Sequence, residues 1–96
     1  MIIYMNTPTA RLYIAPEQEV RVKLECRNDL MKYVIDRFGM KFETEPATEE
    51  TTYCYVDVCL SPTFYGWVFG FKGGIRILEP QEAVADIRCM AEQILK

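Results

Sequence analysis

Arg21, Lys23, Tyr53, Tyr55 and Arg76 combine the two side-chain chemistries that hold a planar anion, positive charge and aromatic rings. Arg21 and Lys23 alternate in one segment, and Tyr53 and Tyr55 in another. In extended chain that spacing puts each pair on one face. These five are the candidate open-face ligand or interface residues. A nucleotide or a single strand could stack there. Exposed tyrosines and arginines equally suit a domain or subunit contact, and a mixed-charge face can also be plain solvated surface. The segment Val20–Cys26 offers no aromatic opposite the tyrosines, and the K/R-G-F/Y-G/A-F-V-x-F/Y signature of RNA-recognition folds is absent.

Other chemistry is thinly supported. The chain has no histidine, so the side chain that most often serves as general acid, base or zinc ligand is missing. Glu43, Glu45, Glu49, Glu50 and Asp57 cluster without a metal-ligand spacing and read as solvated. Arg27-Asn28-Asp29 stands where a ferredoxin-like hydrolase would need a phosphate loop, but Asn28 reads better as a helix cap. Gly73-Gly74 lacks the flanking residues of a P-loop and reads as a turn. Gly66 and Gly70 read as small residues that permit close packing. Cys26, Cys54, Cys59 and Cys89 contain no C-x-x-C pair, and reduced, mostly buried thiols are expected. No catalytic residue, metal site or cofactor is assigned.

Ninety-six residues suffice for one domain with a modest core. Half are hydrophobic and 26% charged, ordinary for a globular chain. A net charge of −3 and a pI near 4.9 argue against a dedicated duplex binder, which draws most of its affinity from neutralising phosphates. No signal peptide or apolar run of membrane length is visible, which points to the cytoplasm and away from membranes.

The elements that must position these residues follow from periodicity. Val20–Cys26 alternates as a half-buried strand, with Val20, Val22, Leu24 and Cys26 inward. A helix from Asn28 to about Phe38, ended by Gly39, carries Leu30, Met31, Val34, Ile35 and Phe38 on its apolar side. Lys41–Glu45 reads as a second strand, Pro46–Glu50 as a turn, and Thr52–Leu60 as a third strand. Ser61-Pro62 opens an aromatic helix with Phe64, Trp67, Val68 and Phe71 on one face, and Lys72-Gly73-Gly74 ends it. Ile75–Leu78 is a fourth strand. Pro80 starts a terminal helix with Val84, Ile87, Ala91 and Ile94 as its buried stripe. Trp67, Phe71, Phe38 and Ile87 are expected in the core with the inward strand residues.

The order β-α-β-β-α-β-α predicts an α+β fold: a ferredoxin-like βαββαβ antiparallel sheet, helices on one face, and an added C-terminal helix. The other face then carries Arg21, Lys23, Glu25, Tyr53, Tyr55, Asp57, Arg76 and Leu78. Residues 1–19 form an irregular N-terminal segment, the edge of something larger or a swapped arm, and 20–96 the domain proper. Ile2-Ile3-Tyr4 in that segment is a second candidate contact.

The runs V-R-V-K-L-E-C, N-D-L-M-K-Y-V-I-D-R-F-G, Y-V-D-V-C-L-S-P-T-F-Y-G-W-V-F-G-F and I-R-I-L-E-P, in this order and spacing, resemble the C-terminal extension (WCX) of bacterial WYL-domain transcriptional regulators. The resemblance covers about residues 17–96. It implies a non-enzymatic C-terminal regulatory domain that contributes to dimerisation and effector response. The partners implied are the WYL domain and a second subunit, in a homodimer. DNA would be reached only through an N-terminal helix-turn-helix, which is not among these residues; nor is the Trp-Tyr-Leu tripeptide. A C-terminal fragment or excised domain is therefore expected. The alternatives are a small ligand- or nucleic-acid-binding module using the open sheet face and, third, a ferredoxin-like enzyme.

Overall fold

The computed structural model describes residues 19–95. The N-terminal candidates Ile2, Ile3 and Tyr4 lie outside them. Four strands, β1 (Val20–Arg27), β2 (Glu43–Pro46), β3 (Thr51–Val58) and β4 (Ile75–Glu79), form one sheet in the order β2-β3-β1-β4. Every neighbouring pair is antiparallel. β1 and β2 therefore run the same way with β3 between them. Helix α1 (Met31–Phe38) joins β1 to β2, α2 (Pro62–Phe69) joins β3 to β4, and α3 (Gln81–Leu95) closes the described chain. The described residues are thus α+β, with a four-stranded antiparallel sheet and three α-helices.

Alternation in β1 predicts its burial correctly: Val22, Leu24 and Cys26 have no exposure, while Arg21 is exposed. β1 lies between two strands, so its apolar side has neighbours all along. Cys54, Val56 and Val58 of β3 and Ile75 and Ile77 of β4 join the same core, with Val34 of α1, Phe64, Tyr65 and Val68 of α2, and Ala83 of α3. Strand β2, expected at Lys41–Glu45, forms later, at Glu43–Pro46, and all four residues are exposed. An edge strand with no buried face leaves its register to the β3 pairing alone.

Ser61 caps α2 as expected, accepting a hydrogen bond from the Phe64 amide at 3.2 Å, with Pro62 in the first turn. The helix ends at Phe69, before the expected Lys72-Gly73-Gly74 and short of Phe71, and the turn that follows carries positive φ at Lys72, 54°, and Gly73, 91°. Gly74 serves a different need. A Cβ there would stand 2.5 Å from Leu30 Cδ1 and 3.1 Å from the Phe71 carbonyl oxygen, so any side chain would have to displace Leu30. The expectation for Gly66 is corrected: it is exposed, and a Cβ there would meet nothing within 4 Å. Around Gly70 the nearest atoms are backbone oxygens of α2 itself.

Asn28 does not cap a helix. It begins a 3-10 turn (Asn28–Leu30), and its side chain crosses to the β2–β3 turn, donating to the Glu49 carbonyl at 3.1 Å and accepting from Thr52 Oγ1 at 2.6 Å. Trp67, Phe38, Phe71 and Ile87 pack against the core but stay partly exposed, and Ile94 is 68% exposed. The α3 stripe thus loses contact with the body before the helix ends. Among the thiols, Cys26 and Cys54 are buried, Cys59 lies just past β3 and is half-buried, and Cys89 is exposed; all four are free.

Candidate functional site

All five sequence candidates lie on the sheet face opposite the core, and strand register fixes their neighbours. Glu43, Tyr55, Lys23 and Glu79 form one row across the four strands, and Glu45, Tyr53, Glu25 and Arg76 form the next. Arg21 faces Asp57. A register shift in β4 brings Glu79, rather than Leu78, opposite Lys23. Directly facing side chains in a sheet lie close enough to interact, and diagonal ones are within reach of long or aromatic groups.

Each cation on this face is engaged. Arg21 pairs with Glu43, and its guanidinium carbon lies 5.5 Å from the Tyr55 centroid. The Lys23 ammonium lies 4.2 Å from the Tyr53 centroid and 5.8 Å from that of Tyr55. Arg76 donates to Glu25 Oε1 at 2.6 Å. The tyrosines are half-buried between these groups, and the Tyr55 hydroxyl donates to Glu45 Oε1 at 2.8 Å. Thr51 Oγ1 donates to the other oxygen of Glu25 at 2.8 Å.

Protonation follows from these contacts. The Thr51 hydrogen bond, then the Arg76 hydrogen bond, hold the Glu25 carboxyl below its ordinary value. The bond to Glu45 raises the Tyr55 phenol, since a carboxylate acceptor favours the protonated donor. Partial burial works to lower the Lys23 ammonium, but Tyr55 and Glu79 outweigh it and the net shift is upward. Glu43, Glu45 and Glu79 escaped the sequence-based site, and Glu25, though placed on this face by alternation, was not among its candidates. Strand register, which sets all four in rows with the tyrosines, shows which groups they meet.

The remaining candidates do not assemble a reaction centre. Around Arg27-Asn28-Asp29 an open recess of about 410 Å³ is edged by Glu49 and Glu50, and Arg27 is bound to Asp29 at 2.6 Å. An arginine neutralised in this way, beside two glutamates, is poorly made to cradle a phosphate. No group of three or more metal-ligating side chains occurs among the described residues. No helix among them is long and apolar enough to cross a membrane.

On the helical side, Trp67 stands edge-on to Phe38 at 5.5 Å and to Phe71 at 5.0 Å, with the Arg37 guanidinium 5.5 Å from its ring centroid.

No curated protein and no solved structure matches the chain. The WCX domain family matches residues 14–95, a span that includes all four strands and all three helices, and the chain belongs to that family.

Proposed function

We propose that this chain is the C-terminal regulatory domain of a WYL-type transcriptional regulator, non-enzymatic and cytoplasmic, contributing to dimerisation and effector response. Its core is read as ferredoxin-like, on the strand order and the two crossover helices, with the domain proper beginning near residue 20. The open sheet face is the surface offered to the WYL domain or to a second subunit.

The observation that carries this reading is the closed charge network around two half-buried tyrosines. Arg21 and Arg76 already have carboxylate partners and Lys23 lies over the tyrosine rings, so each cation on the face keeps a partner when the face is covered. Tyrosine and arginine are also the residues that most often anchor protein contacts. A nucleic-acid strand needs cations free to meet phosphates, and here carboxylates outnumber them. Sedimentation of the 96-residue chain at tens of micromolar tests the interface role. Self-association weakened by Tyr55→Ser is expected; a strict monomer, with the variant identical, removes the face from that role. A winged helix and a WYL barrel encoded upstream of Met1 would support the regulator assignment separately.

A further inference from the structure

A second surface, which shares Arg76 with the open face, is built from α2, β4 and α3. Between them runs an open groove of about 490 Å³, within the ordinary range of small-molecule sites. Val68 and Ile77 line it from the body of the domain, and Val84, Ile87 and Ala91 line it from α3. It exists because α3 stays on the body through buried Ala83 and a Tyr65–Asp86 hydrogen bond of 2.9 Å, while the following turns of its apolar stripe stay partly exposed.

The charges around this groove are one-sided. The chain carries 14 acidic residues against 11 basic ones, yet among the described residues the groove's ionisable lining is Lys72, Arg76 and Arg88. Arg76 is held by Glu25, whereas Lys72 and Arg88 form no ion pair among the described residues. Lys72 also holds a φ of 54°, a left-handed conformation that glycine tolerates and side chains with a Cβ resist. Retaining lysine there sets an ammonium at the groove edge at a conformational cost, and such costs concentrate where a side chain has work to do.

We propose that this groove binds a single-chain anionic amphiphile, a fatty-acid-like carboxylate whose tail lies against Val68, Ile77, Val84 and Ile87 and whose head group meets Lys72 and Arg88. The proposal stands on the groove alone and is independent of the open face being an interface.

The test is a titration of the 96-residue chain with hexanoate, octanoate, decanoate and laurate below their micelle concentrations, with 1-octanol as the uncharged control. The readout is the methyl resonances of Val68, Ile77, Val84 and Ile87. Shifts confined to these methyls are expected, with affinity rising about fourfold per added methylene and octanoate binding more tightly than octanol. Lys72→Gly should leave the melting temperature unchanged or raised while weakening octanoate binding by about fivefold. Arg88→Gln should weaken it similarly with the fold intact. Silent methyls, equal binding of octanol and octanoate, or wild-type affinity in both variants would each overturn the proposal. So would methyl shifts that appear without ligand and track dimerisation in sedimentation, because the groove would then be filled by a second copy.

Discussion

Lys23 of β1 places its ammonium 4.2 Å from the ring centroid of Tyr53, its diagonal neighbour on β3, and 5.8 Å from that of Tyr55, which faces it directly. One lysine therefore bridges both rings, and the second ring is tied through its hydroxyl to Glu45 on β2. Contacts of this kind are worth about 0.5–1 kcal/mol at exposed sites. Their larger effect is on shape: they hold two tyrosines half-buried on a face that no described helix covers.

Leu24 and Lys23 are adjacent in β1 and should respond very differently to truncation. Leu24 is fully buried in the central strand, so Leu24→Ala should cost about 2–5 kcal/mol, its transfer free energy plus the cavity left behind. Lys23→Ala removes only exposed-face contacts and should cost less than about 1 kcal/mol. Urea denaturation of both variants checks this. Equal losses would mean that the strand is not buried on one side only.

Trp67→Ala should destabilise by about 2–3 kcal/mol, below the 3–5 typical of a fully buried aromatic. The ring keeps Phe38, Phe71 and Phe64 as neighbours but leaves part of its surface wet. A melting temperature within a degree of wild type would place its value in partner contact instead of folding.

Most of the architecture was legible because strands β1, β3 and β4 each carry a buried side whose period appears in the residues. Val22-Leu24-Cys26 and Cys54-Val56-Val58 could adopt only one register without exposing themselves. β2 has no such side: Glu43-Thr44-Glu45-Pro46 is exposed throughout, and only its pairing with β3 sets its limits. The aromatic face of α2 correctly foretold packing but not its completeness, since periodicity gives direction and not depth. Helix α3 failed for the same reason at Ile94, where the stripe continues and the body to bury it does not. The five candidates could be named from alternation, and so could the presence of Glu25 and Asp57 on their face. The pairing of Arg21 with Glu43 and of Arg76 with Glu25 could not, because the partners come from different strands and meet only through register.

Asn28 illustrates a local rule overridden by a distant partner. Its side chain joins the start of the 3-10 turn to Glu49 and Thr52, some twenty residues on, instead of closing on its own helix. Asn28→Ala should cost about 1 kcal/mol. Hydrogen exchange should quicken in the turn at residues 47–52 more than in the first turn of α1. Faster exchange confined to α1 would restore the capping role.

Stability should fall at both ends of the pH scale, at the acid end through Glu25 of the open-face network and at the alkaline end through Tyr55 of that network and Tyr65 of the core. The folded-state pKa of Glu25 lies below its ordinary 4.5, so its contribution is complete above that value and is lost as pH falls through the lower, folded one. Tyr55 is raised by its bond to Glu45, and Tyr65 by burial and then by Asp86, so their contributions are complete below about pH 10 and lost as pH rises through the folded values. Melting temperatures across this range should show Glu25→Gln less stable than wild type near neutrality, with the gap closing below about pH 4.5. Tyr55→Phe should soften the alkaline decline. A constant gap at all pH values would remove Glu25 from the acid response.

Duplex DNA should bind this chain weakly and without sequence preference at physiological salt. Affinity for a duplex grows with the number of phosphates neutralised, and each phosphate contact needs a cation free to displace a counterion. On the open face Arg21 is held by Glu43, Lys23 lies over Tyr53, and Arg76 is held by Glu25. Glu43→Gln together with Glu25→Gln would release two arginines and remove two negative charges. The double variant should gain weak, salt-sensitive binding that the parent lacks, measurable by fluorescence anisotropy on a labelled duplex at low ionic strength. A tight, sequence-specific shift by the unaltered chain would show that the neutralised face is not the surface that meets DNA, and would reopen the question of what these cations do.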